Sequence, residues 1–326
     1  MRIIAFDVRP DERDEFERQA ARADVDELVC REEPLTASNA DDVRGFDAAL
    51  ILGMVSYDEV LLAELAARGL RVLVTRTIGT DHIDLAAAER LGISVSNTSY
   101  APDSVADFTL MLMLVALRKY KPMVYRQNVN DFSLPGLMGR TLDSLTVGIV
   151  GTGRIGCAVA RRLGGFGSTV IGFDPHQSEA FLPLGTYVTL EELYRRSDVI
   201  TFHVPATPEN DRMVRDETLA TMRDGVVLVN TARASLMDVD TLVRGVETGK
   251  IGALAMDVFA GEDEIYHASR VNDIIANRDM AYLRQFPNTV LTQHVAFYTR
   301  EAVSEMVAHA VDAALRCAGR DGEARE

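Results

Sequence analysis

The chain has no tryptophan, only three cysteines, and fewer basic than acidic residues. Cys30, Cys157 and Cys317 are too few and too far apart for a disulfide framework or a zinc cage, and they fit a reducing compartment. The excess of acid gives a net charge of −15, which argues against non-specific binding to nucleic acid. A local arginine in a cleft can still attract an anionic substrate against such a field.

Long apolar runs are missing as well. The longest, residues 110–117, falls far short of the roughly 20 residues that a membrane helix needs. The first residues contain no apolar segment typical of a signal peptide. With 326 residues, of which 47% are hydrophobic and 25% charged, the composition is that of a globular protein, and this length suggests two lobes. We therefore expect a soluble, cytoplasmic protein.

Strand-like and helix-like segments alternate over the first third of the chain. The strand candidates are residues 3–8, 48–52, 72–75 and 93–96, and the helix candidates are residues 11–23, 56–68 and 84–91. Strands separated by helix-length crossovers predict a parallel sheet. A long helix is predicted next, at residues 104–118, with Asp103 as its N-cap.

A second alternating series follows. Its strand candidates are residues 146–150, 169–173, 199–203, 226–230, 253–257 and 289–291, and its helix candidates are residues 154–166, 190–196, 216–222 and 238–248. This alternation predicts a doubly wound parallel sheet of the Rossmann type. A last helix, from Arg300 to about Cys317, comes after this series is complete, so it could return to pack on the first lobe.

A glycine motif lies between the first strand and the first helix of the second series. Gly151, Gly153 and Gly156 have the spacing G-x-G-x-x-G. The first glycine permits a tight turn, the second lets the backbone approach a pyrophosphate, and the third lets helix and strand pack closely. The phosphates then lie at the positive end of the helix. The motif alone is weak, but its place directly after a strand predicts a dinucleotide site.

The acid at the end of the following strand indicates which dinucleotide is bound. Asp174 can accept hydrogen bonds from the adenosine ribose hydroxyls and would repel a 2′-phosphate. No arginine directly follows it, so NAD is favoured over NADP. The alternative for Asp174 is an ordinary turn residue before Pro175.

Polar side chains follow three predicted strands of the second series. Arg233 comes after residues 226–230, Glu262 after residues 253–257, and His294 after residues 289–291. In an open parallel sheet, ligands bind beyond the carboxyl ends of the strands, so these residues should face one crevice. Taken singly, each has an ordinary explanation as a surface ion pair, a solvated acid or a satisfied polar group.

Together these side chains suit the reduction of a 2-keto acid. A guanidinium such as that of Arg233 binds a planar carboxylate through two hydrogen bonds and stays charged. A histidine such as His294 can give a proton to the carbonyl oxygen. A carboxylate such as that of Glu262 orients that histidine and favours its charged form.

Several longer segments resemble the D-isomer specific 2-hydroxyacid dehydrogenase family, in particular the D-lactate dehydrogenases, including the vancomycin-resistance type. The segments are residues 76–84, 97–107, 230–233, 257–262 and 294–299. The resemblance extends over nearly the whole chain. It implies an NAD-dependent D-lactate dehydrogenase that reduces pyruvate, or a similar small 2-keto acid, to the D-2-hydroxy acid.

The resemblance also assigns roles to residues. Arg233 would bind the substrate, and His294 and Glu262 would form the acid/base pair. The substrate would further be contacted by Ile78, Gly79, Tyr100, Phe297 and Tyr298. The implied NAD contacts are Gly151, Gly153, Arg154, Ile155, Gly156, Asp174, Val204, Pro205, Asn210, Thr231, Ala232 and Asp257. No metal is expected, and the remaining histidines, such as the solvated His267, are expected to have no special role.

The family pattern implies a particular domain arrangement. A flavodoxin-like α/β substrate lobe is expected from residues 1–100 and 299–326, and a Rossmann-type NAD lobe, inserted in it, from residues 101–298. A homodimer is expected through the helix at residues 104–118 and its neighbour, because that helix carries more large apolar residues than one face needs.

Some positions depart from the family pattern and leave alternatives open. Gln293 stands where many relatives have proline, and Ala234 stands where many have glycine. A D-2-hydroxyisocaproate-type or other 2-keto acid reductase is the nearest alternative, and formate, phosphite, glycerate and phosphoglycerate dehydrogenases share the scaffold. A remote alternative is an NAD-sensing interaction protein. Pocket size would depend on first-lobe side chains such as Leu52, Met54 and Tyr57.

Overall fold

The computed structural model describes residues 1–53, 55–263 and 265–323, with side chains up to residue 317. Met54, which was expected to influence the substrate pocket, lies outside the described residues. The chain forms two compact units. Unit 1 consists of Met1–Ala101 and Tyr298–Glu326, and unit 2 consists of Pro102–Phe297.

Unit 1 is built on a five-stranded parallel sheet in the order β2-β1-β3-β4-β5, the flavodoxin-like order. Its strands are β1 (Arg2–Ala5), β2 (Glu27–Cys30), β3 (Ala48–Ile51), β4 (Val72–Thr75) and β5 (Ser94–Asn97). Its helices are α1 (Arg13–Ala20), α2 (Glu59–Ala67), α3 (Leu85–Arg90) and the last helix of the chain, α11 (Arg300–Glu323).

Successive residues of the central strands of unit 1 point to opposite faces of its sheet and enter two different cores. Ile4 packs with residues of α2 and α3. Ile3 and Ala5 instead pack with Phe16 of α1 and with Val307 and Val311 of α11. This alternation follows from the two-residue period of a strand. One of the two faces of the sheet is therefore covered in part by α11, at the end of the chain.

Unit 2 is built on a seven-stranded parallel sheet in the order β12-β11-β10-β9-β6-β7-β8. Its strands are β6 (Thr146–Val150), β7 (Thr169–Phe173), β8 (Thr186–Tyr187), β9 (Val199–Phe202), β10 (Val226–Asn230), β11 (Ile251–Met256) and β12 (Thr289–Leu291). Its helices are α4 (Asp103–Leu117), α5 (Tyr120–Asn128), α6 (Arg154–Gly164), α7 (Leu190–Arg196), α8 (Asp216–Thr221), α9 (Val239–Thr248) and α10 (Arg278–Leu283).

The strand order of unit 2 is that of a Rossmann sheet with one added strand, and it reverses between β6 and β9. With the parallel sheet of unit 1, it confirms the predicted fold class of two α/β units. In the described part of the chain, no helix has the length and the apolar character needed to cross a membrane.

The structure contains elements that the sequence pattern did not predict, namely β2, β8, α5 and α10. β2 and β8 are short edge strands with partly exposed residues, and α5 buries none of its residues, so none of the three has a clear apolar pattern. The prediction that Asp103 caps α4 was wrong. The N-cap is Pro102, and Asp103 forms an ion pair with Arg162, with 2.8 Å between Oδ1 and Nη2.

A buried ion pair ties the end of β4 to the beginning of the chain. Arg76 and Glu12 are completely buried, and their Nε and Oε1 atoms are 3.0 Å apart. The guanidinium also donates to the carbonyl oxygens of Phe6 and Asp7, and it lies over the ring of Phe16. Burying a charge costs free energy unless it is paired and hydrogen-bonded, as Arg76 is here.

We expect Arg76→Met to lower the free energy of unfolding by about 3–5 kcal/mol, because it removes the buried cation of Glu12 and leaves its carboxylate with the more distant Arg9, at 3.6 Å. Arg13→Met, which removes an exposed ion pair with Glu32, should cost less than about 1 kcal/mol. Urea denaturation followed by circular dichroism measures both changes. Similar losses in the two variants would contradict the importance of the buried pair, and adding Glu12→Leu to Arg76→Met should restore part of the stability.

Candidate active site

The glycine motif of unit 2 forms the turn from β6 to α6, and steric contacts explain two of its three glycines. Gly151 has φ +92, and a Cβ there would lie 2.5 Å from the carbonyl oxygen of His203. A Cβ on Gly156 would lie 2.0 Å from the carbonyl oxygen of Gly151. At Gly153, by contrast, a Cβ would have no atom within 4 Å. Open space beside this backbone is what the approach of a pyrophosphate requires.

The N-terminus of α6 is arranged to receive an anion. Gly153 is its N-cap and supplies no side-chain acceptor for the first N–H groups of the helix. Arg154 follows and is exposed, and Ile155 is half-buried. Free N–H groups and the helix dipole favour a phosphate at this end. The residues present therefore fit a dinucleotide phosphate.

Asp174 directly follows β7, and backbone groups hold both of its carboxylate oxygens. Oδ2 accepts from the N–H of Thr152 at 2.8 Å, and Oδ1 accepts from the N–H of His176 at 2.9 Å. The hydroxyl of Thr152 is in turn 2.6 Å from that of Tyr187. The carboxylate is thus fixed beside the glycine turn, where it can accept further hydrogen bonds from ribose hydroxyls.

Five other residues predicted to contact the cofactor from this sheet lie after β9 and β10, and Asp257 lies after β11. Val204 and Pro205 follow β9, and the side-chain amide of Asn210 donates to the carbonyl oxygen of Pro205 at 3.0 Å. Thr231 and Ala232 follow β10, and the hydroxyl of Thr231 is 2.9 Å from that of Thr109. These positions share the carboxyl edge of the sheet with the glycine turn.

Arg233 is placed by a buried asparagine at the end of β10. Asn230 is completely buried, and its side chain accepts from the N–H of Ala232 and donates to the carbonyl oxygen of Arg233, both at 2.9 Å. These two hydrogen bonds close a tight turn, which places Arg233 just beyond the end of β10. Its guanidinium is half-buried, and Nη1 donates to the carbonyl oxygen of Ala232 at 2.9 Å.

Asp257 is completely buried just after β11, and it organises the loop that follows β12. Its carboxylate accepts from the hydroxyl of Thr292 at 2.5 Å and from the N–H groups of Val295 and Ala296 at 3.1 and 2.7 Å. Its carbonyl oxygen accepts from the N–H of His294 at 2.7 Å. Burial raises the pKa of Asp257, while the hydrogen bonds to the carboxylate oppose that rise.

His294 and Glu262 form a close pair at the same edge. Nδ1 of His294 is 2.6 Å from Oε1 of Glu262, and the side chains are 35% and 15% exposed. Oε2 of Glu262 accepts a hydrogen bond from the N–H of Phe259, which fixes the carboxylate from behind. His294 has φ +55, a left-handed conformation that is uncommon for a residue other than glycine. Both residues therefore have a defined orientation.

Three neighbouring strands thus bring an arginine, a glutamate and a histidine to one edge of the unit 2 sheet. β10, β11 and β12 are adjacent and parallel, so their carboxyl ends coincide. Since Nδ1 of His294 is engaged by Glu262, Nε2 is the nitrogen left to exchange a proton with a ligand. The pair can act as a general acid or base, and a half-buried guanidinium stands nearby in the same sheet edge to bind an anion.

Within unit 1, a loop after β4 contains Ile78 and Gly79. The side-chain amide of Asn97 donates to the carbonyl oxygen of Ile78 at 2.6 Å. The hydroxyl of Thr77 donates to the carbonyl oxygen of Gly79, also at 2.6 Å. The C=O and N–H of one peptide group point in opposite directions, so Asn97 also fixes the direction of the Gly79 N–H. Sequence reasoning did not single out Asn97 or Thr77 for this role.

Aromatic residues of unit 1 differ in their exposure. Tyr100 is buried and Tyr298 is half exposed, with the guanidinium of Arg9 over its ring at 5.6 Å. Tyr57, which was expected to influence the pocket, is a core residue whose hydroxyl donates to Leu35, whereas Leu52 is half-buried. Arg9 was missed, because its contact with Tyr298 joins the two ends of the chain.

His267 was also missed as a neighbour of the acid/base pair. It is exposed, as expected, but its Nε2 is 3.0 Å from the carbonyl oxygen of His294. Its ring also has edge contacts with Phe297 in unit 2. No periodicity or motif in the sequence could have indicated this contact, because residues 27 positions apart meet through an irregular loop.

Comparisons with known proteins agree with this arrangement. The family model of the D-isomer specific 2-hydroxyacid dehydrogenase NAD-binding domain matches residues 110–296. An aromatic 2-oxoacid reductase of Clostridium sporogenes is 39% identical, over 94% of this chain and 93% of its own. A D-specific alpha-keto acid dehydrogenase of Enterococcus faecium is 36% identical, over 94% of this chain and 93% of its own. The crystal structure of a D-lactate dehydrogenase of Treponema pallidum superposes with a TM-score of 0.86 and 33% identity, covering 96% of this chain and 95% of that one.

The family match covers more than half of the chain and includes the glycine turn, Asp174 and the Arg233, Glu262 and His294 set. The chain therefore belongs to the D-isomer specific 2-hydroxyacid dehydrogenases, which are NAD-dependent oxidoreductases that act on CH–OH groups.

Proposed function

We propose that this protein reduces a 2-keto acid to the D-2-hydroxy acid, with His294 and Glu262 as its acid/base pair and Arg233 as its substrate clamp. The observation that carries the proposal is the 2.6 Å contact between His294 and Glu262 at the same sheet edge as Arg233. During reduction, Nε2 of His294 gives a proton to the carbonyl oxygen of the substrate. The carboxylate of Glu262 holds the imidazole in place and stabilises its protonated form.

Arg233 binds the substrate carboxylate in this proposal, because a guanidinium matches the geometry of a carboxylate and keeps its charge. The N–H groups of Ile78 and Gly79 bind the same carboxylate, and Tyr100, Phe297 and Tyr298 contact the rest of the substrate. Asp257 acts on His294 through the backbone, since its carboxylate is occupied by the loop after β12.

The cofactor is held by the glycine turn of Gly151, Gly153 and Gly156, by Arg154 and Ile155 at the start of α6, and by Asp174. Val204, Pro205, Asn210, Thr231, Ala232 and Asp257 complete the proposed set along the sheet edge. When bound, NADH supplies the hydride for the reduction. The position of Asp174, with its carboxylate fixed by two backbone N–H groups, favours ribose hydroxyls over a 2′-phosphate.

Pyruvate is the substrate that we propose, which makes the protein a D-lactate dehydrogenase. The D-lactate dehydrogenase structure with a TM-score of 0.86 supports this choice. A second candidate is an aromatic 2-keto acid, since the aromatic 2-oxoacid reductase is 39% identical over nearly the whole chain. A D-2-hydroxyisocaproate-type substrate would be of intermediate size.

The test is a panel of pyruvate, 2-ketobutyrate, 2-ketoisocaproate and phenylpyruvate with NADH, scored by kcat/KM and by the configuration of the product. A maximum at pyruvate supports D-lactate dehydrogenase activity. A maximum at phenylpyruvate supports the second candidate. Turnover of none of them would contradict the proposed function and favour an NAD-sensing interaction protein.

We expect His294→Ala to lower kcat/KM by roughly 10²-fold or more in both directions, since it removes the proton carrier. Glu262→Gln keeps the shape but removes the charge that stabilises protonated imidazole. With both substrates saturating, it should therefore lower kcat for reduction, which starts from protonated His294, more than kcat for oxidation, which starts from the neutral ring. The two kcat values at one pH measure this asymmetry, because the ratio of the two kcat/KM values is fixed by the equilibrium constant, and equal losses of kcat would exclude Glu262 as the charge partner.

We expect Gly153→Ala to raise the Kd of NADH by about 10-fold or more, because its methyl group would occupy the space left for the pyrophosphate. The fold should tolerate the change, since a Cβ there meets no atom within 4 Å and φ is −69. Gly164→Ala is the matched control, because it also has open space but lies at the other end of α6. Fluorescence titration and Tm measure both effects, and unchanged NADH binding in Gly153→Ala would contradict the site.

The oligomeric state in this proposal is a homodimer. The apolar residues of α4 are largely packed within unit 2, so the helix itself offers little surface to a partner. The residues beside it offer more. A set of large apolar side chains in and after α5 is more than half exposed, namely Tyr120, Tyr125, Val129, Phe132, Leu134 and Met138. Apolar exposure of this kind is typical of subunit contacts.

We expect sedimentation at micromolar concentration to give a dimer for the unaltered protein and a monomer for Val129→Glu/Leu134→Glu, because two charges would enter an apolar contact. Ile274→Glu changes an apolar residue outside this segment that is even more exposed, and it should leave the dimer intact. A monomer in the unaltered protein, or dissociation by Ile274→Glu alone, would count against this surface.

A further inference from the structure

His267 lies beside the pair of His294 and Glu262, but it has no part in the proton transfer proposed for that pair. The carbonyl group of His294 can only accept a hydrogen bond, so the contact at 3.0 Å requires a proton on Nε2 of His267. The centroids of the two imidazole rings are 6.2 Å apart, and that of the Phe297 ring is 6.4 Å from His267. His267 thus reaches the backbone of His294 and leaves the imidazole of His294 to Glu262.

The backbone of His294 has a conformation that needs support. Its φ of +55 lies in the left-handed region, which costs a residue other than glycine about 1 kcal/mol or more. On one side, its N–H donates to the carbonyl oxygen of Asp257 at 2.7 Å. On the other side, its carbonyl oxygen accepts from His267. The two hydrogen bonds hold the peptide groups before and after the Cα that carries the imidazole.

We propose that His267 is a positioning residue for the acid/base histidine. By holding the carbonyl of His294, it keeps the left-handed turn in the one orientation in which Nδ1 meets Glu262 and Nε2 faces the substrate. His267 itself has φ +60, so both residues of this hydrogen bond have a left-handed backbone conformation. This inference rests on the role proposed for His294.

The position of a proton donor affects the chemical step more than it affects binding. A displacement of about 1 Å in a reacting group can cost as much as 10²-fold in rate. The glycine turn proposed to hold the cofactor is made by other elements, β6 and α6. The affinity of the protein for NADH should therefore not depend on His267. A positioning role therefore predicts a loss of kcat with little change in the binding of NADH.

Three substitutions separate the hydrogen bond from the shape of the loop. His267→Gln keeps an amide N–H near the place of Nε2. His267→Phe keeps a ring next to Phe297 but has no donor. His267→Gly has no side chain and relieves the strain of the positive φ. Ser269→Ala, at an exposed position of the same loop, is the control for a change in this segment.

The experiment measures kcat and KM with the best keto acid of the panel, the Kd of NADH and Tm for each variant. We expect kcat to fall about 10-fold in His267→Phe and His267→Gly, and to stay within about 2-fold in His267→Gln and Ser269→Ala, with the Kd of NADH unchanged throughout. Wild-type kcat in the Phe and Gly variants would overturn the proposal, and so would an equal loss in Gln and Phe. His294→Ala is measured alongside, because normal activity there would refute the proposed function itself, whatever His267 does.

Discussion

The carboxylate of Asp257 and the loop after β12 depend on each other. A buried carboxylate is costly unless hydrogen bonds satisfy it, and the donors are the hydroxyl of Thr292 and the N–H groups of Val295 and Ala296. Those donors converge only if the chain turns sharply through His294. The pairing of His294 with Glu262 therefore depends on how hydrogen bonds satisfy the buried carboxylate of Asp257, which follows the neighbouring strand β11.

The same sheet explains how residues from distant parts of the sequence meet without a long-range motif. Parallel strands end at a common edge, and the loops after β10, β11 and β12 each carry a polar residue that is held by local hydrogen bonds. Asn230 closes the turn before Arg233, and the N–H of Phe259 fixes Glu262. The edge provides proximity, and these short-range hydrogen bonds provide direction. A rigid scaffold with locally fixed side chains is the arrangement that catalysis by positioning requires.

The parts of the molecule that were predictable from sequence are those set by local patterns. The glycine spacing, Asp174 and the polar ends of buried strands follow from strand and helix periods, and the sheet order then brings them together. The unpredicted parts depend on irregular backbone or on satisfied buried charge. Arg76 begins one of the segments that resemble the family, yet it lies completely buried against Glu12, and no pattern along the chain identifies that partner. His267 was likewise unpredictable, since its contact exists only because a loop returns to β12.

The covering of the unit 1 sheet has a consequence for the order of events during synthesis. Val307 and Val311 of α11 fill one face of a sheet whose strands all come from the first hundred residues. While the ribosome makes unit 2, that face lacks part of its cover and exposes apolar surface such as Ile3 and Leu50. Unit 2 is continuous in sequence and can complete its core first. The nascent chain therefore carries an unfinished first domain until its last helix has emerged, and this interval is where chaperone binding or misassembly would occur.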